Sequence, residues 1–181
     1  MAAPENYYSL FRRRSFESKH IWHIHGELNN VGSIMLGHEQ YSGYINKIRN
    51  FLTNGIPTES KARKKRPYLS KYSGKKSLAK GDVENWVDIF LENEVHVVGF
   101  GLDYTENHLW NLITEKRRLR KKSRKAIGQT FFHRCSDHKQ STGDEARLSI
   151  LTALDVRVID NTASTYSEAY KNCIDGLRKY K

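Results

Sequence analysis

The sequence predicts an α/β fold built on a parallel sheet. From Val83 onward the pattern runs helix, strand, helix, strand, helix, strand, helix, the order of a layered α/β protein. Within it, Val95-His96-Val97-Val98-Gly99-Phe100-Gly101 is an apolar run ending in glycines, as expected of a strand buried on both faces. A length of 181 residues with 38% hydrophobic content suits one domain, residues 1–181, with a single core.

Each element has its own signal. Ile21-Trp22-His23-Ile24-His25, stopped by Gly26, is short and rich in β-formers and is expected to be a strand. Ile34-Met35-Leu36 is a second, brief extended piece. From His38 to Leu52, Tyr41, Tyr44, Ile45, Ile48, Phe51 and Leu52 make one helical face, ended by Gly55-Ile56-Pro57. Val83 to Leu91 carries Trp86, Val87, Phe90 and Leu91 at helical spacing. Asn107 to Lys122 repeats the pattern with Leu109, Trp110, Leu112, Ile113 and Leu119. Gln129 to His133 is a buried-strand segment through Phe131 and Phe132. Asp144 to Leu154 is an amphipathic helix and Val156 to Ile159 a strand. Tyr166, Ala169, Tyr170, Cys173, Ile174 and Leu177 make the cleanest helical stripe, with Ser164 or Thr165 as cap and Glu168 in the first turn.

Charge is concentrated. The net charge is +11, and Lys61–Lys80 carries nine basic residues and no acidic one. This Ser- and Gly-rich stretch of low apolar content is expected to be an exposed basic loop. Lys116–Lys125 carries eight more, on the basic end of a helix, where the dipole favours cations. The two stretches are either solvated surfaces or an anion footprint for nucleic acid or phosphates. Only Tyr68 and Tyr72 interleave the loop, which weakens a single-strand stacking role. The absence of an 18-residue apolar run predicts no membrane-spanning helix, and Met1–Asn6 does not begin a secretory signal. Cys135 and Cys173 make no disulfide framework. A reducing cytoplasmic compartment is the expectation.

In an open α/β sheet, ligands dock beyond the carboxyl ends of the strands. Those ends read His25-Gly26-Glu27, Gly99-Phe100-Gly101-Leu102-Asp103, His133-Arg134-Cys135 and Asp160-Asn161-Thr162. Gly99 and Gly101 would let backbone N–H groups approach a phosphate or ribose, or simply permit tight strand–helix packing. His25, at a strand end beside a glycine, is placed to reach a ligand and act as a base; a structural histidine is the plainer alternative. His20, His23, His25, His38 and His133 have no partner at metal-ligand spacing, so no metal site is expected.

These residues resemble a family. I-W-H-I-H-G at Ile21–Gly26, followed by Ile34-Met35-Leu36-Gly37-His38-Glu39-Gln40-Tyr41, resembles the segment around the catalytic histidine of bacterial sirtuin-like domains. Trp86-Val87-Asp88 to Phe90, then Val97-Val98-Gly99-Phe100-Gly101-Leu102 and Asn107-His108-Leu109-Trp110, look like the same domains' second cofactor-contacting strand with its flanking helices. The likeness covers roughly residues 7–160. It implies a Rossmann-like fold and cleavage of the nicotinamide–ribose bond of NAD, in the bacterial anti-phage defence branch by hydrolysis. His25 would be the base. Gly26, Gly99, Phe100, Gly101 and Leu102 would contact the ribose and phosphates, and Asp160 or Asn161 would approach the adenosine half.

The departures are specific. The family's glycine-rich G-A-G-x-S turn and the motif holding its water-positioning Asn are missing. The resemblance therefore implies an incomplete domain, the C-terminal half, that needs a missing N-terminal segment or a partner; an N-terminal half-domain or a homo-oligomer are the candidate assemblies. The interval where true sirtuins carry four zinc-binding cysteines has none, so no zinc is expected. Three functions follow: an NAD-consuming domain, a basic nucleic-acid-binding module, or a catalytically inactive interaction module.

Overall fold

The computed structural model describes residues 9–54, 72, 85–122, 127–137 and 144–178. The chain divides between Ile89 and Phe90 into two compact units. The basic loop at Lys61–Lys80 lies outside the described residues apart from Tyr72.

The first unit opens with a hairpin, β1 (Arg14–Phe16) against β2 (Lys19–Ile21), antiparallel with Phe16 opposite Lys19. Glu17, at φ 53°, begins the two-residue turn. The strand expected at Ile21–His25 is thereby corrected. Ile21 ends β2, and His23 to Gly26 form a turn in which the Gly26 N–H donates to the His23 carbonyl at 3.0 Å. The physical reason is local. Lys19 to Ile21 pair with a neighbour two residues away, and the backbone then reverses at Gly26, whose φ of +103° suits glycine. A Cβ at Gly26 would sit 2.4 Å from the Ser33 carbonyl oxygen. Ile34–Leu36 likewise forms no strand; a short 3-10 turn, Val31–Ser33, precedes it, and the Met35 N–H donates to the His25 carbonyl at 3.1 Å.

Helix α1 (His38–Asn54) begins where Gln40 Oε1 accepts the N–H groups of Leu36 and Gly37, at 2.8 and 2.7 Å. Tyr44, Ile48, Phe51 and Leu52 form its buried stripe, as the periodicity predicts. Tyr44 meets Trp86 at 6.0 Å between ring centroids, and the Leu10 carbonyl accepts the Trp86 N–H. Asn85 caps α2 (Trp86–Glu92): its Oδ1 accepts the Asp88 N–H at 2.9 Å and its Nδ2 donates to Asp88 Oδ2 at 2.7 Å.

The second unit contains a parallel sheet of β3 (Val95–Val98), β4 (Thr130–Ser136) and β5 (Val156–Thr162), in the order β3-β4-β5. Helix α3 (Asn107–Lys122) joins β3 to β4, α4 (Asp144–Ala153) joins β4 to β5, and α5 (Tyr166–Arg178) follows. Three of the four strands expected in one parallel sheet are therefore there; the Ile21 segment is not. Right-handed crossovers put α3 and α4 on one face. Ile113 and Arg120 of α3 flank Thr130 and Val156 there. On the other face, Ala169 and Cys173 of α5 pack on Cys135, with Val98 beside them. Thr165 Oγ1 accepts the Glu168 N–H at 3.2 Å and Ser164 donates to Glu168 at 2.6 Å, which closes the cap of α5. The described residues are mixed α/β with five α-helices, and the helix-flanked parallel sheet of the second unit is compatible with a Rossmann-like fold. No helix among the described residues is long and apolar enough to cross a membrane.

Two contacts tie the start of β3 to its surroundings. The Gly128 N–H donates to the Glu92 carbonyl at 3.0 Å, and Val95 N–H to the Gln129 carbonyl at 2.9 Å. Lys116, 3% exposed on α3, donates to the carbonyls of Phe90 and Asn93 at 2.7 and 2.8 Å. It thus satisfies carbonyls at the end of α2 that helix geometry leaves unpaired. Burial lowers its pKa from 10.5 to about 8, with Arg120 adding like-charge repulsion and Glu94 opposing.

A Cβ at Gly128 would sit 2.1 Å from the Asn93 carbonyl carbon. Gly128→Ala should therefore destabilise the second unit by about 1–3 kcal/mol, read as a lower urea midpoint. For Lys116 the folded pKa lies below the unfolded one, so the unfolded chain binds more protons between pH 8 and 10.5. Stability should rise with pH across that window relative to Lys116→Met. Equal pH slopes for the two proteins would show that the buried amine does not titrate as placed.

Candidate functional site

A cleft of about 350 Å³ opens over the carboxyl ends of β3 and β4. Parallel pairing delivers all three strand ends to the same side, so the turns that follow them converge there. The floor comes from Gly99-Phe100-Gly101 and from Phe132 to Ser136; Asp144 and Arg147 of α4 form one wall and Tyr166 and Tyr170 of α5 another.

Gly99 sits at φ +67°, and a Cβ there would lie 3.5 Å from the Tyr170 ring. Without side chains, Gly99 and Gly101 expose backbone to the cleft. Leu102, at φ 48° and 1% exposed, is buried behind the turn. Asp103 closes the turn: its carboxylate accepts the Thr105 N–H at 2.9 Å and its carbonyl accepts the Trp110 Nε1–H at 3.0 Å. Hydrogen bonding from Thr105, with the charge of Arg147 as a smaller contribution, holds that carboxyl below its usual range.

The walls carry both signs of charge. Arg147 donates through Nη2 to Asp144, while its buried Nε has no hydrogen-bond partner. Its Nη1 would lie 3.7 Å from a Cβ at Gly101. Arg134 Nε donates to Asp160 Oδ1 at 2.5 Å. A buried guanidinium N–H without an acceptor costs free energy that a ligand oxygen would recover. The Tyr166 and Tyr170 rings lie 5.7 Å apart, and Tyr166 is exposed, an open aromatic surface. Cys135 is a buried thiol whose pKa is pushed up to about 11, first by burial, then by Cys173. It stays protonated near neutrality and is a poor nucleophile. Burial and, secondarily, His96 lower the pKa of His133, so it stands neutral on the cleft floor.

Of the residues singled out from sequence, Gly99, Phe100 and Gly101 line the cleft together. Leu102, Asp160 and Asn161 do not line it; Asp160 and Asn161 bond to the lining residues Arg134 and His133. His25 and Gly26 belong to the first unit. There His25 sits in a turn, its ring 6.2 Å from that of Tyr41, instead of at a strand end. Arg147, Tyr166 and Tyr170 were not anticipated. Their position was readable, since each falls in the first turns of a helix that follows a strand end. Of the basic cluster on α3, Lys116 is buried, Arg118 pairs with Glu115 at 2.7 Å, and Arg120 pairs with Asp155 at 3.3 Å.

No family model, no curated protein and no solved structure matches the chain.

Proposed function

We propose that the chain is a sirtuin-like NAD-consuming domain and that the cleft of the second unit takes the phosphate and ribose part of NAD. The observation that carries the binding half is the Gly99–Gly101 turn beside Arg147, whose Nη1 would lie 3.7 Å from a Cβ at Gly101. A phosphate oxygen suits that guanidinium, and bare backbone beside it permits close approach. The exposed Tyr166 ring offers a face for a base. A volume of about 350 Å³ is at the low end for small-molecule sites, so the cleft suits part of a dinucleotide.

The chemical half rests on the resemblance at Ile21–Gly26. His25 would take a proton from a ribose hydroxyl or water as the nicotinamide–ribose bond breaks and nicotinamide leaves. A segment bearing the absent glycine turn and water-positioning Asn would complete the site, supplied in cis or by a partner. Two cysteines that are free thiols suit the reducing, cytoplasmic setting this reading assumes. The nucleic-acid alternative draws less support, because Lys116, Arg118 and Arg120 already bond within the chain. It predicts a steep fall of log affinity with log salt on duplex or single strands.

Calorimetry with NAD tests the binding half. Binding is expected, and Arg147→Met should weaken it ~10-fold, the worth of about one charge-assisted hydrogen bond. No heat with NAD, ADP-ribose or ADP at millimolar concentration would overturn it. For the chemistry, the chain alone should release little nicotinamide. Once the missing segment is supplied, His25→Ala should slow release by about 10²–10⁴-fold and His23→Ala far less. An active pair indifferent to His25→Ala would remove His25 as the base.

A further inference from the structure

A line of hydrogen bonds crosses the sheet of the second unit, from an exposed carboxylate to the cleft floor. Glu94 Oε1 lies 2.8 Å from His96 Nε2. His96 Nδ1 lies 2.9 Å from His133 Nε2, and His133 Nδ1 lies 3.4 Å from Asn161 Nδ2. The parallel register puts His96, His133 and Asn161 on one face of three adjacent strands.

Starting from the Asn161 amide, one set of directions satisfies every bond. Asn161 Nδ2 also donates to the Ile159 carbonyl at 3.2 Å, which orients the amide with its nitrogen toward His133. His133 Nδ1 must then accept. Its ring proton is on Nε2 and is donated to His96 Nδ1. His96 in turn carries its proton on Nε2 and donates it to Glu94. One tautomer of each ring satisfies the whole line. The weak link is the last one, since 3.4 Å is long for a hydrogen bond. His133, a buried residue that lines the cleft, thus holds an Nδ1 lone pair with a poor donor.

We infer that His133 is a ligand-binding residue whose Nδ1 accepts a hydrogen bond from a hydroxyl of the molecule in the cleft. His96 and Glu94 are positioning residues that hold His133 in the accepting tautomer. The inference rests on the nucleotide reading and names what that reading leaves open, recognition of a ribose hydroxyl. The ligand donor replaces the long Asn161 bond, and Asn161 keeps the Ile159 carbonyl. A site built to bond a hydroxyl discriminates sharply against a ligand lacking one.

The test uses the full chain with two probes, NAD and inorganic pyrophosphate, which has no ribose. His133→Gln keeps an amide near the Nε2 position, able to donate to His96, and places nothing at Nδ1. It should weaken NAD ~10-fold and leave pyrophosphate unchanged. His133→Asn restores an acceptor near Nδ1 and should recover part of the loss. Glu94→Ala removes an exposed carboxylate, so the fold survives; it should weaken NAD a few-fold and shift the ring-nitrogen resonances of His133 away from the Nε2–H tautomer. NAD affinity unchanged in His133→Gln, or lost equally for both probes, overturns the inference and leaves the nucleotide reading standing. A wild-type chain that binds neither probe overturns both. Should His133→Gln fail to fold, the wild-type nitrogen spectrum decides: an Nδ1–H tautomer overturns the inference and the Nε2–H tautomer, lost in Glu94→Ala, supports it.

Discussion

β4 hydrogen-bonds on both edges and is covered on both faces, and the second unit is arranged around that requirement. A strand paired in parallel to both neighbours cannot be reached by a hairpin, so each connection must run back along the sheet as a helix. The α3 and α4 crossovers meet that need, and their apolar stripes cover one face while α5 covers the other. Parallel pairing also brings the ends of β3, β4 and β5 to one side, with the polar turns that follow them. The cleft is a consequence of the pairing, and its walls are the first turns of α4 and α5 because those helices begin where the strands stop.

The same unit shows how buried polar groups are reconciled with a dry interior. Lys116 looks from its neighbours like one more member of a basic cluster, yet it is buried against two backbone carbonyls. Its amine does the work of a cap. The histidines on β3 and β4 are a second case. His96 stacks on Phe131 at 4.8 Å between ring centroids and bonds to His133, so its ring has both an apolar and a polar partner. Arg147 differs: Asp144 pairs with one of its nitrogens, and its Nε is left without an acceptor.

Several elements were legible in the linear sequence because their determinants are local. Helix α3 runs over the residues its periodicity marks, and the Tyr44, Ile48, Phe51, Leu52 stripe of α1 is buried as spaced. The cap of α5 was readable from Ser164, Thr165 and Glu168, which bond as their types suggest. The runs at Val95, Phe131 and Val156 announced parallel strands, but of the three only β4 is mostly buried; Val95–Val98 is half-buried and β5 carries exposed residues. Gly99 and Gly101 stood out because nothing but a close backbone approach or a left-handed turn calls for two glycines there.

Tertiary structure decided the rest, for reasons of competition and distance. Ile21 to His25 has the composition of a strand, but strand formation needs a partner, and β1 was close enough in sequence to pair with Lys19 to Ile21 first. The turn at Gly26 then left His25 off any strand. Which of the many basic residues would be buried depended on where the carbonyls of Phe90 and Asn93 ended up, 26 and 23 residues from Lys116. The line from Glu94 to Asn161 joins residues on three strands, and only the register sets them side by side. Periodicity along a chain reports which side of an element meets the core. It carries no record of which polar atoms from distant elements arrive at hydrogen-bonding distance, and the candidate site is made of those.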